Sequence, residues 1–195
     1  MPSPFGHALA GAAIGFAALP SLDPPQPSVS SVNIWRVPAL CAAIAALPDA
    51  DLLVSGFHRG PTHSLTATAL VLIVTAAVTG QVTGKVHWRL ALACALAHAS
   101  HPLMDWLGTD YYRLRGVELF WPFSSRFYIS DWDIFPETER RLRGNPRAFA
   151  INLRAFLAEL GLVGPLVLAA WWRATRTRRS LVPTSDQGIP PRPSA

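Results

Sequence analysis

Histidine and aspartate interrupt an otherwise apolar chain at a few places: His7, Asp49 and Asp51 in LPDAD, His58 and His63 on either side of Arg59 in HRGPTHSL, and His101 and Asp105 in SHPLMD. Imidazole nitrogen and carboxylate oxygen together suit zinc, manganese or iron, with zinc leading. No cysteine lies near them in sequence, which disfavours a closed structural zinc site and favours an open, catalytic type. His101 and Asp105 are four residues apart, so on a helix they share one face and can clasp one ion; His98 extends that stripe, as a donor behind the site or as a polar residue facing a bundle. Asp49 and Asp51 flank a helix end, where they either turn inward or serve a cap or turn. Pro61 suits the first turn of the next helix, which places His63 inside that helix's start. His7 and His58 read equally as ligands or as interfacial residues. Arg59 reads as a phosphate clamp beside the N-terminal amides of that helix, or as a snorkelling side chain. At a catalytic site of this kind the metal lowers the pKa of bound water to about 7 and polarises a phosphoryl or carboxyl oxygen, while Asp49 or Asp51 accepts a proton.

The elements that must position these groups are apolar helices. Half of the 195 residues are hydrophobic, 15% are charged and the mean hydropathy is +0.26, which places the chain in a membrane. The net charge of +5 comes from arginines at the ends of apolar runs and in a late cluster, a placement that suits lipid headgroups. No nucleic-acid-binding module is recognisable, so nucleic acid is not expected as a partner. Cys41 and Cys94 sit among alanines and read as buried, inert thiols. Apolar runs at 5–19, 36–48, 64–80, 88–105 and 156–172 predict an all-α, membrane-embedded bundle of about five helices. The first four are short against the ~20 residues that cross hydrocarbon, so tilt, thinning or burial within the bundle must be allowed. The first run has no Lys or Arg ahead of it and is read as a retained helix. Gly11 and Gly15 give it a GxxxG spacing that lets a neighbour approach. PSLDPPQPSVSSVN reads as a linker, residues 1–175 as a single domain, and 176–195 as a basic, then Pro/Ser-rich, disordered tail.

Run up and down, these helices bring every candidate ligand to one end and gather Arg36, Lys85, His87, Arg89, Arg173, Arg176, Arg178 and Arg179 at the other. The segment 106–147 is expected as irregular structure or surface helices over the ligand end, with Asp110, Glu118, Asp131, Asp133 and Glu137 solvated. Trp35, Trp88, Trp106, Trp171 and Trp172 fall at helix ends, as an aromatic belt or core packing would place them.

LPDAD at 47–51, HRGPTHS at 58–64, SHPLMD at 100–105, GVELFWP at 116–122 and the early His7 resemble the YdjM-type family of bacterial inner-membrane proteins assigned as metal-dependent hydrolases, over roughly residues 5–125. The resemblance implies a site drawn from His7, Asp49, Asp51, His58, His63, His101 and Asp105. The order of Asp, His and HxxxD is also similar, more remotely, to the zinc-dependent phospholipase C and nuclease helical bundles, which implies that His101, Asp105, His63 and Asp51 share a metal. The expected ligands are therefore His7, Asp51, His63, His101 and Asp105, with Asp49, His58 and Arg59 in catalytic roles. The function implied is hydrolysis of a phosphoester or lipid-type substrate by a multi-pass protein of the bacterial inner membrane. The alternative is a non-catalytic membrane protein with a structural metal or polar cluster. Short Lys/Arg-rich loops stay cytoplasmic, which turns the ligand end to the periplasm, although ERRLRGNPR on that side opposes it. A C-terminal reporter that is active only when exported should accordingly be silent; activity would reverse the orientation.

Overall fold

The computed structural model describes residues 1–22, 34–53, 59–111, 115–140 and 144–179. His58, most of the linker and the Pro/Ser-rich tail lie outside these residues. The described chain is an all-α bundle of α1 (Pro4–Leu22), α2 (Arg36–Ala46), α3 (Leu65–Thr83), α4 (Trp88–Leu107) and α5 (Ala148–Arg179). Its only extended pairing is two isolated bridges, Gly108 with Phe135 and Val117 with Tyr128.

Local chemistry sets the boundaries that matter for the ligand end. Pro48 has no backbone N–H to continue the α2 ladder, and the Leu47 amide turns back to the Ile44 carbonyl, so the chain tightens into a 3-10 turn over Leu47–Leu53 that carries Asp49 and Asp51. Pro61–His63 is likewise a separate 3-10 turn, so His63 stands before α3 rather than inside its start. The reason is Ser64, whose hydroxyl accepts from the Ala67 amide at 3.1 Å and caps α3 one residue later. Gly84, at φ 72°, ends that helix in the left-handed conformation. The fifth helix is longer at both ends than its apolar run predicts, because Arg154 and the late arginines interrupt the hydropathy without interrupting the backbone ladder.

α1 packs against α2, α4 and α5, α4 also packs against α2 and α3, and α3 touches the bundle through α4. The seams are built from small residues. Cys41, Ala45, Ala93 and Ala97 form the buried contact between α2 and α4, with both cysteines free. Gly11 and Gly15 press on α2, where a Cβ on Gly11 would come within 2.3 Å of the Cys41 carbonyl oxygen and one on Gly15 within 2.5 Å of the Pro38 Cα. Three helices, Pro4–Leu22, Leu65–Thr83 and Ala148–Arg178, are long and apolar enough to cross a membrane. α2, at 11 residues, is too short, and α4 is the helix most enclosed by its neighbours. α3 turns Leu70, Ile73, Val74, Val78 and Val82 outward, a face suited to acyl chains rather than water.

The α1–α2 approach sets a stability test. Gly11→Ala should cost about 1–3 kcal/mol through backbone collision and lower Tm in detergent. Gly161→Ala, where an added Cβ meets nothing within 4 Å, should leave Tm unchanged or raise it slightly.

Candidate metal centre

Five of the expected residues and Asp49 converge at one end of the bundle. α1 supplies His7, the turn after α2 supplies Asp49 and Asp51, the turn before α3 supplies His63, and α4 supplies His101 and Asp105. His7, Asp51, His63, His101 and Asp105 are buried, and Asp49 nearly so. Hydrogen bonds fix the tautomers of the two central imidazoles. His101 Nδ1 lies 2.7 Å from the Ala45 carbonyl oxygen, an acceptor only, so Nδ1 must carry the proton. His63 Nδ1 faces Asp51 Oδ2 at 3.3 Å and the Thr62 hydroxyl at 3.0 Å. That hydroxyl spends its own proton on Asp51 at 2.8 Å, so His63 Nδ1 is a donor too. Nε2 is therefore the atom whose lone pair each ring can offer a metal, and the two Nε2 atoms are 3.0 Å apart, within hydrogen-bond distance of each other.

Carboxylate oxygens close around these lone pairs. Asp105 Oδ2 is 3.4 Å from His101 Nε2 and 3.5 Å from His63 Nε2, and Asp49 Oδ1 is 3.8 Å from His101 Nε2. Tetrahedral zinc with bonds of about 2.0–2.1 Å requires its ligand atoms to stand about 3.3–3.4 Å apart. The observed separations bracket that edge, and the donor set of imidazole and carboxylate fits a divalent ion. His7 lies on the far side of Asp105, its Nε2 3.4 Å from Oδ1, and stacks on the His101 ring with centroids 3.7 Å apart.

A polar layer holds this arrangement. Asp51 accepts from the Arg59 amide at 3.1 Å as well as from Thr62, which ties the turn before α3 to the turn after α2. Arg59 adopts φ 69°, is 4% exposed and pairs its guanidinium with Asp110; it is buried and not open at a mouth. Asp110, expected to be solvated, is fully buried and also accepts from the Gly116 amide at 2.8 Å. Gly116 is required by its φ of 95° and by the Tyr128 carbonyl oxygen 2.1 Å from where a Cβ would stand. The segment after α4 thereby lies against the ligand end, with the Glu118 amide on the Arg59 carbonyl at 3.0 Å and the Leu65 amide on the Leu119 carbonyl at 2.9 Å. Of its other acidic residues, Asp131 and Asp133 are exposed as expected, while Glu137 is partly covered and burial lifts its carboxyl above the ordinary range. His98 bonds the Thr68 hydroxyl at 2.9 Å, joining α4 to α3.

Two buried groups escaped sequence reasoning. Glu159, wholly buried in α5, accepts from the amide and hydroxyl of Ser3, one turn before His7. An acid inside an apolar membrane helix is itself the signal for such a role. Asp110 has no local signal, since its partner is 51 positions away. At the opposite end Trp35 and Trp88 are exposed, His87 is solvated, and Arg89 donates to the Ser21 carbonyl at 2.7 Å.

The profile of the family described as YdjM inner membrane protein matches residues 1–177. No curated protein and no solved structure matches the chain.

The buried pair separates structural from surface electrostatics. Asp110→Ala removes a buried carboxylate partner of the Arg59 guanidinium and should cost about 3–5 kcal/mol. Asp131→Asn removes an exposed partner of Arg115 and should cost less than about 1 kcal/mol. Thermal unfolding in detergent measures both.

Proposed function

The chain belongs to the YdjM inner membrane protein family, and we propose that it is a membrane-bound, metal-dependent hydrolase acting on a phosphoester or lipid-type substrate. The reading rests on one observation: two imidazoles whose Nδ1–H groups are turned away bring their Nε2 atoms to 3.0 Å, with carboxylate oxygens alongside. Atoms so arranged need a proton or a metal cation between them, and a divalent ion satisfies both rings and the carboxylates at once. His63, His101, Asp105 and Asp49 are assigned to a divalent ion, with zinc preferred for its donor set and edge lengths. Asp51, a ligand by sequence expectation, is assigned to orienting His63 through Nδ1, as carboxylates commonly orient ligating histidines. Asp49, expected to act as a base, takes the vacated place.

When bound, the metal supplies an activated water and polarises the scissile oxygen. The chain's own residues hold the ligand atoms, exclude bulk water and seat the site at the membrane surface. Phe120, Trp121 and Phe123 are exposed in the segment covering the ligand end, beside the start of α3, where the Thr66 hydroxyl bonds the Trp121 carbonyl. Aromatic residues at the head of a candidate span favour the headgroup layer, and so favour a lipid-borne substrate. The arginines at the opposite end favour a periplasmic site. Arg59 is assigned to bracing the turn before α3 through Asp110 rather than to binding phosphate, and no role is assigned to His58.

A structural metal is the second reading, favoured if all four protein atoms reach one ion and close its tetrahedron. Metal analysis of detergent-purified protein, followed by a panel of phospholipid, phosphomonoester and ester substrates, tests both. His101→Ala should lose bound metal and turnover together, and Asp51→Asn should weaken metal affinity about 10–100-fold while leaving the site loadable. Metal-loaded protein inert across the panel would favour the structural reading, and metal-free protein that resists loading would remove both.

A further inference from the structure

We infer that this end of the bundle is built for two divalent ions rather than one, with His7 and the outer oxygens of Asp105 and Asp49 forming a second position beside the first. The inference rests on reading the His/Asp cluster as a metal centre.

The first ion draws on atoms other than those of His7. His63 Nε2, His101 Nε2, Asp105 Oδ2 and Asp49 Oδ1 use one oxygen of each carboxylate. What remains is a second set of unused atoms. Asp105 Oδ1 is 3.4 Å from His7 Nε2, again the edge of a metal tetrahedron and beyond the usual 2.7–3.2 Å of a nitrogen–oxygen hydrogen bond. Asp49 Oδ2 is buried with no hydrogen-bond partner among the described residues, and its charge lies within reach of His7. His7 is 1% exposed, its Nδ1 also lacks a partner, and its ring is fixed by stacking on His101. The Asp105 contact only partly offsets the desolvation cost of this buried imidazole. A divalent ion at Nε2 removes most of that cost.

His7, His101 and Asp105 form one group with ligand atoms within 4.8 Å of one another, and Asp49, His63 and His101 form another. The two groups share His101 and differ in their carboxylate, Asp105 in one and Asp49 in the other. The second position has fewer protein ligands than the first and therefore keeps sites for water or a substrate oxygen. That adds open coordination of the kind a hydrolase uses.

Stoichiometry decides the matter without recourse to activity. Full-length protein purified in detergent, loaded with zinc or manganese and dialysed free of excess, should hold two equivalents by elemental analysis. His7→Ala and His7→Gln should each hold one, and the manganese form of the wild type should show an exchange-coupled resonance signal that both variants replace with that of an isolated ion. One equivalent in the wild type, or an unchanged count in both folded His7 variants, would overturn the second position and leave the single-metal reading standing. No metal in a wild type shown to be helical would overturn the metal reading itself.

Discussion

The arrangement of the ligand end turns on one electrostatic constraint, that two imidazoles facing each other through Nε2 at 3.0 Å need a proton or a metal cation between them. Each ring is held in that pose from behind. The Ala45 carbonyl does so for His101, and Asp51 with Thr62 for His63. Those supports need supports of their own. The Ala45 carbonyl is available because α2 stops hydrogen-bonding regularly where Pro48 interrupts it, and Asp51 is aimed because the Arg59 amide and Thr62 hydroxyl hold its other side. Arg59 in turn is anchored by Asp110 in a segment that packs over the whole assembly. The polar groups form a hierarchy in which each layer fixes the orientation of the one inside it, as buried networks must if they are to repay their desolvation.

The apolar part of the molecule serves the same end by different means. Small residues let the helices pack closely enough for His7, from α1, to stack on His101, from α4, at 3.7 Å. Bulkier seams would spread the helices that carry the His/Asp cluster and separate its side chains. The large aliphatic side chains are sent outward on α3 and α5, where the bilayer receives them. The division inverts the pattern of a soluble protein: alanine, glycine and cysteine are inside, leucine and valine outside, and the polar core is confined to one end.

Much of this was legible in the sequence. Apolar runs located the helices, their alternation sent His7, Asp49, Asp51, His63, His101 and Asp105 to one end, and Gly11 and Gly15 marked a close helix contact. The sequence could not divide labour between Asp49 and Asp51, because two aspartates one residue apart on a 3-10 turn point in directions set by the residues they meet. Those residues, Thr62 and Arg59, lie beyond a stretch whose path spacing does not reveal. Asp110 was misjudged for a related reason: its surroundings in sequence are polar and turn-like, and only a partner 51 residues upstream makes it a core residue. The start of α3 was displaced by a competition between two helix-start signals, in which the Ser64 cap prevailed over Pro61.

Glu159 couples the two ends of the described chain. Its carboxylate meets Ser3 across 156 positions of sequence, so the contact forms only once the last helix has joined the first. The packing of α1 on α2 and α4 holds the body of that helix, while the Glu159 carboxylate pins the turn that precedes His7 to the fifth helix. The depth at which His7 stands is thus set jointly by the first and last helices, and a shift of α5 along its axis would be felt at the His/Asp cluster through Ser3.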